Sequence, residues 1–265
     1  MTSRLIVSDL DGTLLGSDHK LHDNTIEVLR ALVAQGHHVA LASGRHYNDM
    51  RVFRDQLDIP AYLISTNGAY IHAPDGTLLS ATHLEPAYVE TLIQLPRPPQ
   101  VRLNLYRESG WYIDADAPHL LSLHASTGFR YEVVPQAAMD ADGVGKVLYI
   151  GDPAALAQLE CQAQEAHGHS LHITYSTIDS LEIMAGGVNK GVALTALLEK
   201  LKLTPAECLA FGDNLNDTEM LNLAGEAQVM NNAHPELFDR VSNAERIGHH
   251  GEAAVAQWLA KRFAL

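Results

Sequence analysis

Two aspartates stand one residue apart at the end of an apolar run: Leu5, Ile6, Val7 and Ser8 lead into Asp9, Leu10, Asp11, Gly12, Thr13, Leu14 and Leu15. Alternate residues of a strand share a face, so both carboxylates can leave its C-terminal end in one direction. In a parallel α/β sheet that end is where ligands settle. Two close carboxylates repel each other, and a divalent cation is their natural compensation. By itself such a run can equally be an Asp-rich turn that closes a strand. Its partners lie far along the chain: Ser43 before Gly44 and Arg45, Lys190 between Asn189 and Gly191, and Asp213, Asn216 and Asp217 in Gly212-Asp213-Asn214-Leu215-Asn216-Asp217.

The chemistry these types can do together is phosphoryl transfer. A carboxylate such as Asp9 attacking phosphorus forms an aspartyl-phosphate and divides one difficult hydrolysis into two displacements. Asp11 can protonate a leaving alcohol and then deprotonate the attacking water, a role that asks for a raised pKa. Ser43 can donate its hydroxyl to a phosphate oxygen, with the Gly44 amide at a helix start as a second donor. Lys190 is a point charge for phosphate and for Asp9. Each also has a plainer reading: an N-cap serine, a solvated lysine, or an Asp213 that only caps the next helix.

In order and spacing the four groups resemble the motifs of the haloacid-dehalogenase-like phosphohydrolases, in particular their Cof-type branch (subclass IIB, with a C2 cap), and the likeness covers nearly the whole chain. The resemblance implies Asp9 as nucleophile and Asp11 as acid and base. It implies Mg²⁺ held by the side chains of Asp9 and Asp213 and the backbone carbonyl of Asp11. Asn216 resembles the family's phosphate-contacting position, and Leu10 joins it through its backbone. Asp217 is expected to orient Lys190 or the metal's waters, and Asn67 to contribute a side-chain amide. Arg45 can face the substrate or cover the helix that follows. Glu182, in Leu181-Glu182-Ile183-Met184, points opposite to its apolar neighbours in a strand. It is expected to reach the cleft, touching substrate hydroxyls or orienting Arg45, unless it is an exposed strand residue.

The elements that must position these groups alternate at first. Strands at Leu5–Val7, His38–Ala42 and Ala61–Ser65 enclose helices at Asn24–Gln35 and Tyr47–Leu57, the doubly wound pattern of a Rossmann-like α/β sheet. Tyr70–His72 and Leu78–Leu79 form a hairpin about Asp75-Gly76. From about Thr82 the alternation is lost. Helices are expected at Leu84–Leu95, Pro118–Thr127 and Pro153–Ala166. Strands are expected at Val101–Tyr106, Gly110–Ile113, Tyr131–Val134, Val144–Ile150, Leu171–Tyr175 and Ser180–Met184. This reads as an inserted α+β cap, of C2B type by the resemblance, over 83–185, with the core in 1–82 and 186–265. A helix opened by Gly186–Gly191 and running to about Leu201, a strand at Glu207–Phe211 and a helix at Glu252–Phe263 return to the core pattern.

Bulk properties narrow the function classes. The 265 residues are 46% hydrophobic, enough for a substantial core. No apolar stretch is long enough to span a bilayer, and the chain enters its first strand without a signal peptide, so a cytoplasmic protein without a membrane partner is expected. With 18 Lys plus Arg against 32 Asp plus Glu the formal charge is -14, which argues against nucleic acid as a partner. It also repels phosphorylated substrates at long range, so a metal, Lys190 and helix N-termini must supply local positive potential. Cys161 and Cys208 form no framework and read as reduced thiols in helix-like sequence. His37-His38, His167/His169/His172 and His249-His250 read as solvated surface rather than a zinc site. No stretch specifies an oligomeric state.

The expected activity is Mg²⁺-dependent hydrolysis of small phosphorylated metabolites, with likeness to bacterial sugar and pyridoxal phosphate phosphatases over Ser176–Gly191. Two alternatives stay open: a phosphotransferase or phosphomutase on the same nucleophile, and a metal-binding regulatory module without catalysis.

Overall fold

β1 (Leu5–Ser8) is buried throughout because its residues alternate between two apolar layers. Leu5 and Val7 enter one layer and Ile6 the other. The same division holds in β2 (His38–Ala42), where Val39 and Leu41 oppose Ala40 and Ala42. A strand buried on both faces needs helices on both sides, and the chain supplies them. α1 (Asp23–Ala34) and α2 (Tyr47–Leu57) cover one face.

The computed structural model describes residues 3–265. Its larger sheet continues with β3 (Ala61–Ser65), β4 (Tyr70–His72) and β5 (Leu78–Ala81). α3 (Pro86–Gln94) then leads into a second sheet made of β6 (Arg102–Arg107), β7 (Gly110–Ile113), β8 (Tyr131–Val133), β9 (Val144–Ile150), β10 (Leu171–Thr177) and β11 (Ser180–Ala185), with α4 (Pro153–His167) between β9 and β10. The chain returns to the first sheet through α5 (Lys190–Leu201), β12 (Cys208–Gly212), α6 (Thr218–Leu223), β13 (Glu226–Met230), α7 (Leu237–Arg240), β14 (Ala244–Ile247) and α8 (Ala254–Phe263). The first sheet is ordered β14-β13-β12-β1-β2-β3-β4-β5, parallel as far as β3 and antiparallel at β4 and β5. α8 shares the layer of α1 and α2, while α5 and α6 cover the other face. The chain winds from β1 toward β3, then restarts at β12 on the opposite side, so the switch point lies beside β1.

The second sheet, ordered β10-β11-β9-β6-β7-β8, has one face under α3 and α4. Period-two alternation decides what the other face carries. In β9, Val147 and Tyr149 pack against the helices, and Lys146, Leu148 and Ile150 line a cleft. In β11, Leu181 and Ile183 pack inward while Ser180 and Glu182 line the same cleft.

The α/β class and the doubly wound core are as expected, but several local expectations need correction. Pro118–His124 forms tight 3₁₀ turns rather than an α-helix. Cys208 lies on β12, fully buried between neighbouring strands, because its flanking Leu209 and Ala210 belong to a two-faced strand; Cys161 is on α4 and exposed. His37 is not solvated surface: it is buried against Phe263, and its Nδ1 accepts from the Arg4 amide at 3.2 Å. Among the described residues no helix is long and apolar enough to cross a membrane.

Candidate active site

Because β12, β1 and β2 are adjacent and parallel, their C-terminal ends lie side by side. The residues that follow them are Asp213, Asp9 and Ser43, three groups distant in sequence but set by neighbouring strands. The Asp9 amide extends the ladder by donating to the Phe211 carbonyl at 3.0 Å, which fixes where its side chain leaves the sheet. The chain then turns back on itself, the Leu15 amide closing on the Leu10 carbonyl at 2.9 Å. Gly12 sits in this turn at φ +78°, and a Cβ there would fall on the Asp213 carboxylate. Glycine is required by both the backbone and the crowding.

Lys190 opens α5, whose N-cap Asn189 accepts from the Val192 amide at 2.8 Å. Fully buried, its Nζ donates at 2.6 Å to both Asp9 Oδ1 and Asp217 Oδ1. Asp217 Oδ2 accepts from the amides of Asp213 and Asn214, each at 3.0 Å. Thr13 donates to Asp213 Oδ1 at 2.7 Å. Oxygens of Asp9, Asp213 and Asp217 lie within 4.8 Å of one another. Asp217 is the most committed of the three, its oxygens being occupied by Lys190 and two amides.

This crowding has an electrostatic signature. Burial raises the Asp9 pKa well above its usual value, Asp217, Asp213 and Asp11 add to that, and Lys190 opposes it. Asp213 is pushed up to about 7 by burial and by Asp217, against the Thr13 hydrogen bond. Hard oxygen donors held close together against their own repulsion suit a small divalent cation such as Mg²⁺. Asp9 and Asp213 would hold it with the Asp11 backbone, and Asp217 would steady Lys190 beside it.

Asp11 departs from expectation. Burial alone would raise its pKa, but hydrogen bonds from Arg45 and His19 outweigh burial and hold it well below the usual carboxylate range. Arg45 Nε and Nη2 grip Asp11 Oδ2 and Oδ1 at 2.5 and 2.6 Å. The fork's remaining nitrogen donates to Asp49 Oδ2 at 2.8 Å, and Nη2 also reaches the Leu123 carbonyl at 3.2 Å. Asp49, fully buried, accepts in turn from His124 at 2.7 Å and from Thr127. Arg45 therefore ties Asp11 to the segment between β7 and β8 rather than merely covering α2.

Glu182 is buried and reaches the cleft, but it does not orient Arg45. Its Oε1 accepts from Lys146 Nζ at 2.7 Å and its Oε2 from the Asn67 amide. β11 carries it past the Gly44 backbone, so Lys146, already committed to Arg45's neighbour Gly44, takes the pairing instead. Asn67 Oδ1 accepts from Asn216 Nδ2 at 3.2 Å, so the Asn67 side chain joins Glu182 to Asn216. The backbone of Thr66 and Asn67 is tied to the Ser43 turn: Thr66 N donates to Arg45 O at 2.9 Å and Asn67 N to Ser43 O at 3.0 Å. The Leu10 side chain is buried in the apolar layer, leaving only its backbone for the site.

Asp9, Asp11, Ser43, Gly44, Arg45, Glu182, Asp213 and Asn216 thus border one cavity of about 500 Å³ between the two sheets. Its far wall carries an apolar patch of Tyr106, Trp111, Leu120, Leu148 and Ile150, bordered by the polar Ser176, Thr177, Asp179 and Ser180. Trp111 Nε1 is engaged by Asn104 Oδ1 at 2.8 Å, so Trp111 presents only ring carbon to the cavity. Sequence reasoning missed Lys146, Thr13, His19 and the Asp49–His124 pair. A lone lysine inside the apolar run Val144–Ile150 and a carboxylate four residues after Arg45 were the available signals.

Comparison with known proteins agrees with this architecture. Residues 6–259 match the haloacid dehalogenase-like hydrolase family. An HMP-PP phosphatase of Cronobacter sakazakii is 40% identical over 257 residues, 97% of this chain and 94% of that protein. A haloacid dehalogenase-like hydrolase from Bacteroides thetaiotaomicron superposes with a TM-score of 0.86 at 24% identity, covering 99% of this chain and 100% of that one. A sugar phosphatase of HAD subclass IIB superposes with a TM-score of 0.84 at 18% identity, covering 99% of both chains, so the fold is shared with that subclass. With the family matched across nearly its whole length and the fold matched in full, this chain belongs to the haloacid dehalogenase-like hydrolases.

Proposed function

We propose that this chain is a Mg²⁺-dependent phosphatase of small phosphorylated metabolites that works through an aspartyl-phosphate on Asp9. One observation carries the reading: Asp9, gripped by Lys190 through one oxygen, stands beside Asp213 at the floor of a cavity that Ser43 and Asn216 also border. A bound Mg²⁺ supplies charge neutralisation between the nucleophile and an incoming phosphate. Lys190 restrains the Asp9 carboxylate in one orientation, with its other oxygen free to attack phosphorus. Ser43 and Asn216 donate to the equatorial oxygens as charge spreads over them.

Asp11 serves two steps with unequal ease. Held ionised by Arg45, it is ready to take a proton from the water that hydrolyses the intermediate. Protonating an alcohol in the first step requires it to gain a proton against that same fork. Leaving groups that depart with little protonation are therefore favoured. The apolar part of the wall suits a flat ring, and Ser176, Thr177, Asp179 and Ser180 on the same cavity offer partners to its polar substituents. HMP-PP, the substrate named for the 40% identical relative, heads the candidates, while pyridoxal phosphate, whose leaving group is an alkoxide, matches the apolar surface alone.

Phosphate release tests the reading. Across HMP-PP, pyridoxal phosphate, sugar phosphates and p-nitrophenyl phosphate, turnover should vanish in chelator and return with Mg²⁺. Ca²⁺ should inhibit, since its looser coordination misplaces the nucleophile. The ring phosphates should exceed sugar phosphates in kcat/KM by about tenfold or more. Full activity in excess chelator would overturn the metal assignment, and preference for sugars would overturn the substrate reading.

A further inference from the structure

Lys146 is the one lysine of β9 and is 1% exposed, in a strand whose other residues are apolar apart from Gly145 and Tyr149. Its Nζ donates at 2.7 Å to the Gly44 carbonyl and at 2.7 Å to Glu182 Oε1, and stands 4.5 Å from the centre of the Tyr106 ring. An ammonium carries three protons. Two are committed to oxygens, and the third side of the charge faces an aromatic ring. Lys146 is thus anchored in place, and what it anchors is informative.

The Gly44 carbonyl belongs to the same planar peptide as the Arg45 amide. In a trans peptide the two groups point in opposite directions, so a pull on the carbonyl orients the N–H. That N–H donates to Ser43 Oγ at 3.2 Å. With the Arg45 amide on one lone pair, the Ser43 hydroxyl keeps its hydrogen for another acceptor, and Ser43 borders the cavity. The partner of Lys146 works on the opposite side of the same rim. Glu182 holds the Asn67 amide, and Asn67 Oδ1 accepts from Asn216. Gly44 makes this approach feasible: a Cβ there would come within 3.1 Å of Asn67 Oδ1 and 3.3 Å of Glu182 Oε1.

We infer that Lys146, a residue of the second sheet, is a positioning residue that sets the Ser43 hydroxyl and the Gly44 turn to receive the phosphoryl group of the substrate. It acts through the Gly44–Arg45 peptide rather than on the reacting atoms. This rests on Ser43 and Asn216 being phosphate contacts, as read above. Phosphate affinity then depends on the second sheet lying against the first, because only in that arrangement does Lys146 reach Gly44.

The test is phosphate binding itself, measured by calorimetry with inorganic phosphate and Mg²⁺, alongside KM and kcat over the same substrate panel. Lys146→Met removes the pull on Gly44 but leaves Glu182 buried without its cation. The double variant Lys146→Met/Glu182→Gln avoids that unpaired charge, and Glu182→Gln alone keeps the lysine–carbonyl bond. Both variants lacking Lys146 should bind phosphate about tenfold more weakly, the scale of one charge-assisted hydrogen bond. KM should rise by a similar factor for every substrate, leaving their ranking unchanged, and Glu182→Gln should weaken phosphate less. Unchanged phosphate affinity in the double variant would overturn the inference. A changed substrate ranking with unchanged phosphate affinity would also overturn it and make Lys146 a leaving-group contact. If the wild-type protein binds no phosphate, the reading of Ser43 and Asn216 falls and the inference falls with it.

Discussion

Arg45 closes a two-point fork on Asp11, Nε to Oδ2 at 2.5 Å and Nη2 to Oδ1 at 2.6 Å, while its third nitrogen holds Asp49 at 2.8 Å. A bidentate guanidinium stabilises the ionised carboxylate. The residue expected to act as an acid is therefore held in its ionised form, and through Asp49, His124 and Thr127 that arrangement is linked to the segment bordering the cavity.

Asp11→Asn separates the two duties proposed for this residue. The substitution is nearly isosteric and leaves Asp9 in place, so attack on phosphorus survives where the leaving group needs no proton. Nitrophenol release should persist in the first turnover, while sugar phosphate cleavage falls further, by roughly 10²- to 10⁴-fold. The second step lacks its base, so phosphorylated Asp9 should accumulate as a burst in rapid-quench experiments. An equal loss on both substrates without a burst would make Asp11 a structural residue. Asp9→Asn, by contrast, should abolish turnover of every substrate.

Asp213 and Asp217 should differ in their effect on Mg²⁺. Asp217 acts through Lys190 and two amides, so Asp217→Asn should raise half-saturating Mg²⁺ by roughly 10- to 100-fold, as for an outer contact. Asp213→Asn removes an oxygen charge from the cluster and should raise it further. Mg²⁺ titration of phosphate release checks the order, and the reverse order would exchange their roles.

Gly12→Ala should disturb the site through the backbone. At φ +78° an L-residue is strained, and its Cβ would displace the Asp213 carboxylate. Stability should fall by roughly 1–2 kcal/mol in urea unfolding, and half-saturating Mg²⁺ should rise. Wild-type Mg²⁺ dependence in this variant would contradict the close packing of Gly12 on Asp213.

His72 should make the fold acid-sensitive. It is buried, stacked on Tyr47 at 3.9 Å, with Nδ1 lacking a partner among the described residues. Burial, assisted by the positive charges of His46 and Arg54, lowers its pKa to about 4. The unfolded chain, with an ordinary value of about 6.5, binds the proton first as pH falls. Stability is thus intact above about pH 6.5 and decreases toward pH 4, by roughly 3 kcal/mol at most from this group. Denaturant unfolding of His72→Phe from pH 7 to 4.5 should show a shallower decline than the wild-type protein, and parallel curves would refute it.

The sequence by itself determined the core and the family. β1 and β2 are legible because strands buried on both faces need unbroken apolar runs, and Asp9, Ser43 and Asp213 each follow such a run at a strand end. Residues carried by local geometry are readable from local pattern. Lys190 and the Asp213–Asp217 loop are legible for another reason, since their types and order resemble a known set of motifs. Only the tertiary structure decided which charges meet. Glu182 could be placed facing the cleft by alternation, but its choice of Lys146 over Arg45 depends on how two sheets lie against each other. Arg45's fork on Asp11 spans 34 residues, and the Asp49–His124 contact spans 75. A pKa is set by such neighbours and by burial, neither of which is written in a residue's own surroundings along the chain. That is why the chain marked Asp11 as a candidate for chemistry, while the charge it carries was decided by the fold.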